Sequence, residues 1–204
     1  MCLKGVFSEH IQATGIAKSI LSLSSPGTNI SSDPPFNKTL TRQTNEFAAD
    51  VKRQYPDRFG FFASLPLDKD NMDAASEEIA YALDELDADG FVLLSNTPGV
   101  YLGDPLLRPV LAELDKRAAL VFVHPTIACY PQMHGHEHHS SPAEQYANSS
   151  PLASLYRAPL FEFFFDSARS ILDLLVSGTI LRFPRVRWIV SHCGNVLPSL
   201  LDRM

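Results

Sequence analysis

Runs of consecutive apolar residues alternate along this chain with longer stretches in which apolar residues recur at helical spacing. The apolar runs predict five strands, at residues 17–23, 59–65, 90–96, 120–123 and 186–191. The periodic stretches predict helices at residues 40–55, 70–87, 105–117 and, in two pieces, 151–181, with a last helix opening near Asn195. Residues 28–38 and 125–150 follow neither pattern and predict loops. Strands that alternate with helices favour parallel βαβ units and an α/β fold, either a doubly wound sheet or a (β/α) barrel.

The strand at residues 120–123 carries the first functional signal. Its four apolar residues have no polar interruption, which is typical of a strand buried on both faces of a parallel sheet. Pro125 has no N–H for the sheet ladder, so we expect the strand to end at about His124. The imidazole would then lie at the carboxyl end of a core strand, where parallel α/β folds place their chemistry.

A second histidine, His192, follows the strand at residues 186–191. Because the carboxyl ends of neighbouring parallel strands meet at one edge, His124 and His192 are expected to face one pocket. Neutral imidazole is a common metal ligand and also a general acid or base near neutral pH. For each ring, the alternative is a hydrogen-bonded structural histidine with no chemical role.

Four further histidines stand close together in the second predicted loop: His134, His136, His138 and His139. Their spacing resembles that of a metal site, but they do not follow a strand, so a solvated or weakly metal-scavenging loop is favoured. Cys193 is a candidate nucleophile, but the sequence places no neighbour that would activate it. We therefore favour a small buried residue at that position.

Other polar residues flank the predicted strands and helices. Asp166 follows three phenylalanines and is interpreted as a helix N-cap, which is favoured, or as a carboxylate of the pocket and a catalytic candidate. Asn96 and Thr97 end the third strand and Tyr101 follows them, so these residues line the pocket mouth or form a turn. Asp104 is expected to cap the third helix.

The composition narrows the possible functions. The chain has 204 residues, of which 45% are apolar and 20% charged, as in globular proteins with a large core. A formal net charge of -6 argues against nucleic acids or anionic membranes as partners, since both select basic surfaces. Three cysteines form no C-x-x-C motif, no apolar run reaches the ~18 residues of a membrane span, and no signal-peptide core is present. These features predict a cytosolic protein, and the lack of a glycine-rich phosphate motif gives nucleotide binding no support.

Five segments of the chain, taken in order, carry a family resemblance. They are residues 58–66 (RFGFFASLP), 80–86 (AYALDEL), 101–105 (YLGDP), 123–126 (VHPT) and 191–194 (SHCG). With them the chain resembles the amidohydrolase-related decarboxylases, the group of aminocarboxymuconate-semialdehyde decarboxylase and γ-resorcylate decarboxylase. Within that group it is most similar to the fungal 6-methylsalicylate decarboxylase type, over nearly the whole chain.

The resemblance implies a metal-dependent (β/α)8 TIM barrel that removes CO2 from a small aromatic acid without an organic cofactor. His124 stands where the family has a ligand of its divalent metal, which is zinc or manganese. His192 stands where the family has a catalytic acid or base beside that metal. The metal would polarise the oxygens of the substrate, and the imidazole would assist proton transfer to the carbon that loses CO2.

Measured against the family, the chain is expected to hold strands two to six, so that a single domain over residues 1–204 forms an incomplete barrel. The family's His-x-His or Glu-x-His on strand one and its metal-binding aspartate on strand eight find no counterpart, and a complete barrel needs about 250 residues. Open sheet edges promote association, which makes a homo-oligomer one expected outcome. Two other functions stay open: hydrolysis of lactone or amide bonds, and an inactive barrel remnant that binds or dimerises.

Overall fold

Five parallel strands form the centre of the molecule, and helices connect them. The computed structural model of the chain describes residues 13–97, 99–128, 150–200 and 202. In chain order the strands and helices are β1 (Ser19–Leu21), α1 (Pro34–Gln54), β2 (Phe59–Ala63), α2 (Asp73–Asp84), β3 (Gly90–Leu94), β4 (Asn96–Thr97), β5 (Val100–Tyr101), α3 (Arg108–Lys116), β6 (Leu120–His124), α4 (Glu162–Val176), α5 (Thr179–Arg182) and β7 (Arg187–Val190). The predicted alternation of strands and helices, and with it the α/β class, is confirmed.

The main sheet has the strand order β1-β2-β3-β6-β7, and every neighbouring pair is parallel. Each strand lies beside the strand of the sheet that precedes it, with no reversal of direction across the sheet. A doubly wound sheet reverses its strand order at a switch point, whereas a barrel adds its strands in sequence. Of the two folds that the pattern left open, the observed order is that of a (β/α) barrel.

The two faces of this sheet differ in burial. On the helix side, alternate strand residues are at most 2% exposed and join one core with the helices: Phe61, Ala63, Phe91, Leu93, Val121 and Val123. On the other face, Phe62 and Phe122 are only partly buried, and Ile20 and Ile189 of the outer strands are exposed. The prediction that β6 is buried on both faces is wrong for this second face, because the helices described here pack against the first.

Helix α1 begins at Pro34, whereas the sequence predicted a loop as far as residue 38. Proline suits the first turn of a helix, because its φ is already helical and the first N–H groups have no intrahelical acceptor. Asn37 adds a second tie, since its Nδ2 donates to the Ser31 carbonyl at 2.8 Å and its Oδ1 accepts from the Ser31 N–H at 3.0 Å. Neither effect produces an apolar periodicity in the sequence, so the apolar pattern predicts a start of the helix that is too late.

The predicted cap of the third helix is confirmed. The Asp104 carboxylate accepts a hydrogen bond of 2.8 Å from the N–H of Leu106, and a short 3-10 turn then leads into α3. Gly178, with φ at 71°, separates α4 from α5, which confirms the two helical pieces. None of the helices in the described ranges is long and apolar enough to cross a membrane.

The helix predicted to open near Asn195 is wrong for the described residues. After β7 the chain makes two 3-10 turns, at His192–Gly194 and Leu197–Ser199. Cys193 and Asn195 have φ of 54° and 56°, values that a right-handed helix cannot contain. The left-handed backbone therefore replaces the first turn of the expected helix.

Candidate active site

His124 is the last residue of β6, where the sequence placed it. It lies opposite Leu94 of β3, and Val123 lies opposite Val190 of β7, so the strand ends on both sides are level with it. Its ring faces the open side of the sheet, where Phe122 packs edge-on with ring centroids 6.0 Å apart. Its Nδ1 lies 2.6 Å from the Pro125 carbonyl oxygen.

The surroundings of His124 favour the uncharged ring. Burial lowers the pKa of the His124 imidazole, because a half-buried cation loses part of its hydration. The hydrogen bond to the Pro125 carbonyl opposes that effect, while the nearby His192 lowers the pKa further by charge repulsion. This effect of His192 on His124 places both rings in one region, and the neutral ring is the form that binds a metal or accepts a proton.

His192 follows β7 in a strained turn. Its φ is 53°, its side chain is exposed, and its ring centroid lies 4.9 Å from that of Phe164 on α4. Cys193, expected to be a small buried residue, is exposed and carries a free thiol, so that prediction is wrong. The reason is local: β7 pairs only with β6 among the described strands, and Cys193 lies in the left-handed turn that follows this edge strand.

Asp166 lies in the second turn of α4, which begins at Glu162, so the favoured N-cap interpretation is wrong. Its carboxylate is fully buried and accepts three hydrogen bonds from side chains far away in sequence. The donors are the Ser95 hydroxyl, the Asn96 amide at 2.8 Å and the Tyr101 hydroxyl at 2.6 Å. The alternative interpretation, a catalytic carboxylate of the pocket, stays a prediction, because the three hydrogen bonds occupy both oxygens of a buried group.

The residues after β3 form a hairpin, as one of the two sequence interpretations predicted. Asn96 pairs with Tyr101 and Thr97 with Val100 in a small antiparallel ladder. Sequence reasoning missed Ser95, which it counted as an ordinary strand residue. Two polar residues directly after a buried apolar strand, Ser95 and Asn96, were the only signal that could have drawn attention to it.

The described residues do not complete a metal site. In those ranges no group of three or more histidine, cysteine, aspartate or glutamate side chains lies close enough together to hold a metal ion. A catalytic zinc usually has about three protein ligands, and His124 is the half-buried imidazole at a strand end that could supply one of them. The predicted histidine cluster at residues 134–139 lies outside the described residues.

Comparison with known proteins gives consistent matches. A family model described as amidohydrolase matches residues 27–204. The decarboxylase yanB of Aspergillus niger is 40% identical over 90% of this chain and 47% of its own length. The 6-methylsalicylic acid decarboxylase acuB of Aspergillus aculeatus is 36% identical over 96% of this chain and 54% of its own length. The chain thus spans about half the length of these curated relatives.

A solved structure agrees with the sequence matches. It is the 5-carboxyvanillate decarboxylase of Novosphingobium aromaticivorans, determined with manganese and 4-hydroxy-3-methoxy-5-nitrobenzoic acid. The two share 26% identity and a TM-score of 0.83 over 100% of this chain and 53% of the other. The described strands and helices therefore share the fold of this decarboxylase.

Proposed function

The chain belongs to the amidohydrolase family, and within it we propose that it acts as a decarboxylase of a small aromatic acid of the 6-methylsalicylate type. The observation that carries the proposal is the pair His124 and His192 at the ends of the neighbouring parallel strands β6 and β7. The two fungal decarboxylases similar to this chain support the choice of reaction and substrate.

We assign the proton transfer to His192. In the reaction, the bond between ring carbon and carboxylate breaks, CO2 leaves, and the electron pair left on the ring carbon takes up a proton. A protonated imidazole can supply that proton near neutral pH. His192 is exposed at the end of β7 and is therefore accessible to a bound acid, which supports this role.

We propose that His124 is a ligand of a divalent metal, zinc or manganese. Burial lowers the pKa of its ring and so favours the neutral form that such a metal requires, and the neighbour solved with manganese supports the class of metal. A bound metal would supply Lewis-acid polarisation of substrate oxygens. Since the described residues do not complete a site, we expect the other ligands to lie outside them.

The open face of the sheet supports an aromatic substrate. Phe62 and Phe122 point to that face with ring centroids 6.1 Å apart, and Phe122 in turn packs against His124. Aromatic side chains beside a few polar groups are typical of pockets for small apolar ligands. We propose that the ring of the acid packs near these two phenylalanines while its polar groups lie toward His124.

The direct test is conversion of 6-methylsalicylate to 3-methylphenol by the purified chain, followed by chromatography. Replacement of His192 by asparagine should lower the rate about 10²- to 10⁴-fold, because the proton donor is lost. Cys193→Ser is the matched control: it changes the exposed neighbour and should leave the rate within about twofold.

Two further arms separate the alternatives. A chelator should abolish the activity and added zinc or manganese should restore it, and a rate that ignores the chelator contradicts the metal. Hydrolysis of simple lactones without any decarboxylation would replace the proposed reaction by the hydrolase alternative. Loss of activity in Cys193→Ser but not in His192→Asn would overturn the assignment of the proton donor.

We further propose that the chain is one domain, that it resides in the cytosol and that it forms homo-oligomers. The single continuous sheet and the match over residues 27–204 support one domain. The free thiol of Cys193 supports a reducing, cytosolic location, and the exposed Ile20 and Ile189 at the two sheet edges support association. Light scattering of the purified chain measures the mass, and a monomer at all concentrations would contradict the last of these.

A further inference from the structure

We propose that Asp166 is a positioning residue that fixes the backbone around His124, acting through Ser95 and Asn96. The inference rests on the proposed function only in that it takes His124 to be a working residue of the site. It goes beyond that function because Asp166 is assigned no contact with substrate or metal.

The carboxylate of Asp166 is isolated from solvent. Its side chain is 0% exposed, so a molecule bound at the strand ends does not reach it in this arrangement. A buried carboxylate is costly unless hydrogen bonds compensate for the lost water, and here both oxygens are used. Oδ2 accepts from Ser95 and Asn96, and Oδ1 accepts from Tyr101. The guanidinium of Arg169 lies 3.9 Å from Oδ1 and adds a nearby positive charge.

Ser95 makes two hydrogen bonds to the backbone on either side of Pro125. The Ser95 N–H donates to the carbonyl of His124 at 2.8 Å. The Ser95 hydroxyl oxygen accepts from the N–H of Thr126 at 3.0 Å. A hydroxyl has one hydrogen, and here it is directed to Asp166, which leaves the lone pairs for Thr126. The carboxylate therefore orients the hydroxyl that holds the backbone directly after His124.

Asn96 makes a second connection between Asp166 and the same segment. Its Nδ2 carries two hydrogens, of which one goes to Asp166 at 2.8 Å and the other to the Ile127 carbonyl at 3.0 Å. One carboxylate thus orients both side chains that bind the segment from His124 to Ile127. Since these ties meet the backbone on each side of Pro125, movement of Asp166 would be passed to the ring of His124.

The test compares Asp166→Asn with Asp173→Asn as a matched control. Asp173 lies two turns later on α4, and it too anchors a loop after β3, by accepting from the Gly103 N–H at 2.7 Å. It makes no hydrogen bond to Ser95 or Asn96. Both variants remove one charge from the same helix and loosen one contact to a loop after β3, while only the first disturbs the ties to His124.

The primary readout is the imidazole carbon-13 signal of His124 in histidine-labelled protein at fixed pH, assigned by its loss in His124→Asn. We expect this signal to shift or broaden in Asp166→Asn and to stay in place in Asp173→Asn, with the His192 signal unmoved in both. The secondary readout is kinetic: kcat should fall on the order of 10²-fold in Asp166→Asn while KM changes little, because displacement by about 1 Å costs that much.

Three results would overturn the proposal. They are an unmoved His124 signal in Asp166→Asn, an equal shift in the two variants, and a change in KM with kcat intact. If Asp166→Asn does not fold, Ser95→Ala takes its place, since it removes the tie through the Ser95 hydroxyl and leaves the carboxylate with Asn96 and Tyr101. A wild-type chain without decarboxylase activity would refute the proposed function, while the signal of His124 still decides the positioning role.

Discussion

The two histidines of the candidate site lie in unlike surroundings. The segment of residues 124–127, here the β6 corner, is bound on three backbone atoms by Ser95 and Asn96. Thr126 adds a hydroxyl contact of 2.7 Å with Ser25, in the loop after β1. The β6 corner is therefore tied to two other strand ends and, through Asp166, to α4.

The segment of residues 191–195, here the β7 turn, lacks comparable ties among the described residues. His192 and Cys193 are exposed, and the buried Ser191 Oγ and Asn195 Oδ1 find no hydrogen-bond partner in the described ranges. The one side-chain tie within the turn is a long contact of 3.5 Å from Asn195 Nδ2 to the Ser191 carbonyl. The β7 turn is thus held mainly by its own backbone.

The contrast follows from the position of the two strands in the sheet. β6 lies between β3 and β7, so the loops of both neighbours surround its carboxyl end, whereas β7 lies at the edge of the described sheet. A group that must hold a ligand at a fixed position benefits from ties on several sides. The arrangement accordingly suits His124 for binding and leaves His192 dependent on what covers the edge of β7.

The largest effect on stability is expected for Asp166→Leu. The change leaves the hydrogens of Ser95, Asn96 and Tyr101 without their acceptor in a buried place, which should lower the free energy of unfolding by about 3–5 kcal/mol. Urea denaturation measures it. Ser167→Ala is the control, because the Ser167 hydroxyl is buried without a hydrogen-bond partner in the described ranges and should change stability by less than about 0.5 kcal/mol. Equal losses of unfolding free energy in the two variants would show that Asp166 does not contribute to the difference between the β6 corner and the β7 turn.

Ser95→Ala should have an intermediate effect. It deletes the hydroxyl between Asp166 and the Thr126 N–H, so one acceptor and one donor lose a buried partner. We expect the free energy of unfolding to fall by about 1–3 kcal/mol. Hydrogen exchange of the Thr126 amide should speed up more than that of the Val121 amide, which lies in the middle of β6. An equal increase in the hydrogen-exchange rate of all β6 amides would contradict a local role of Ser95 at the β6 corner.

The smallest effect, and the opposite sign, is expected for Asn195→Gly in the β7 turn. Asn195 has φ 56° and ψ -124°, a backbone region that is almost restricted to glycine. Glycine should relieve the strain and raise the free energy of unfolding by about 1 kcal/mol, since only the long contact to Ser191 is lost. A decrease of similar size in urea denaturation would show that the Asn195 side chain holds the β7 turn after all.

The sequence predicts the position of His124 in the β6 corner, but it does not predict the backbone of the β7 turn. Consecutive apolar residues and a following proline place His124 at the end of β6, because both signals are local. The ties of Asp166 to Ser95 and Asn96 join residues 71 and 70 positions apart, and no local pattern carries such a contact. The left-handed backbone at Cys193 is not predicted for a related reason. A cysteine in the sequence does not indicate a positive φ, so the pattern predicts a buried thiol and a helix there.

The short contact between His124 and the Pro125 carbonyl decides which ring nitrogen is basic. A carbonyl oxygen only accepts, so Nδ1 must carry the hydrogen of the neutral ring, and the lone pair belongs to Nε2. That is the tautomer in which a metal-binding histidine donates its other N–H to the backbone. Any electrophile that reaches His124, whether proton or metal, therefore meets it at the nitrogen farther from the main chain. The proline after the strand therefore affects the chemistry as well as the fold, because its carbonyl leaves Nε2 as the ring nitrogen that reacts.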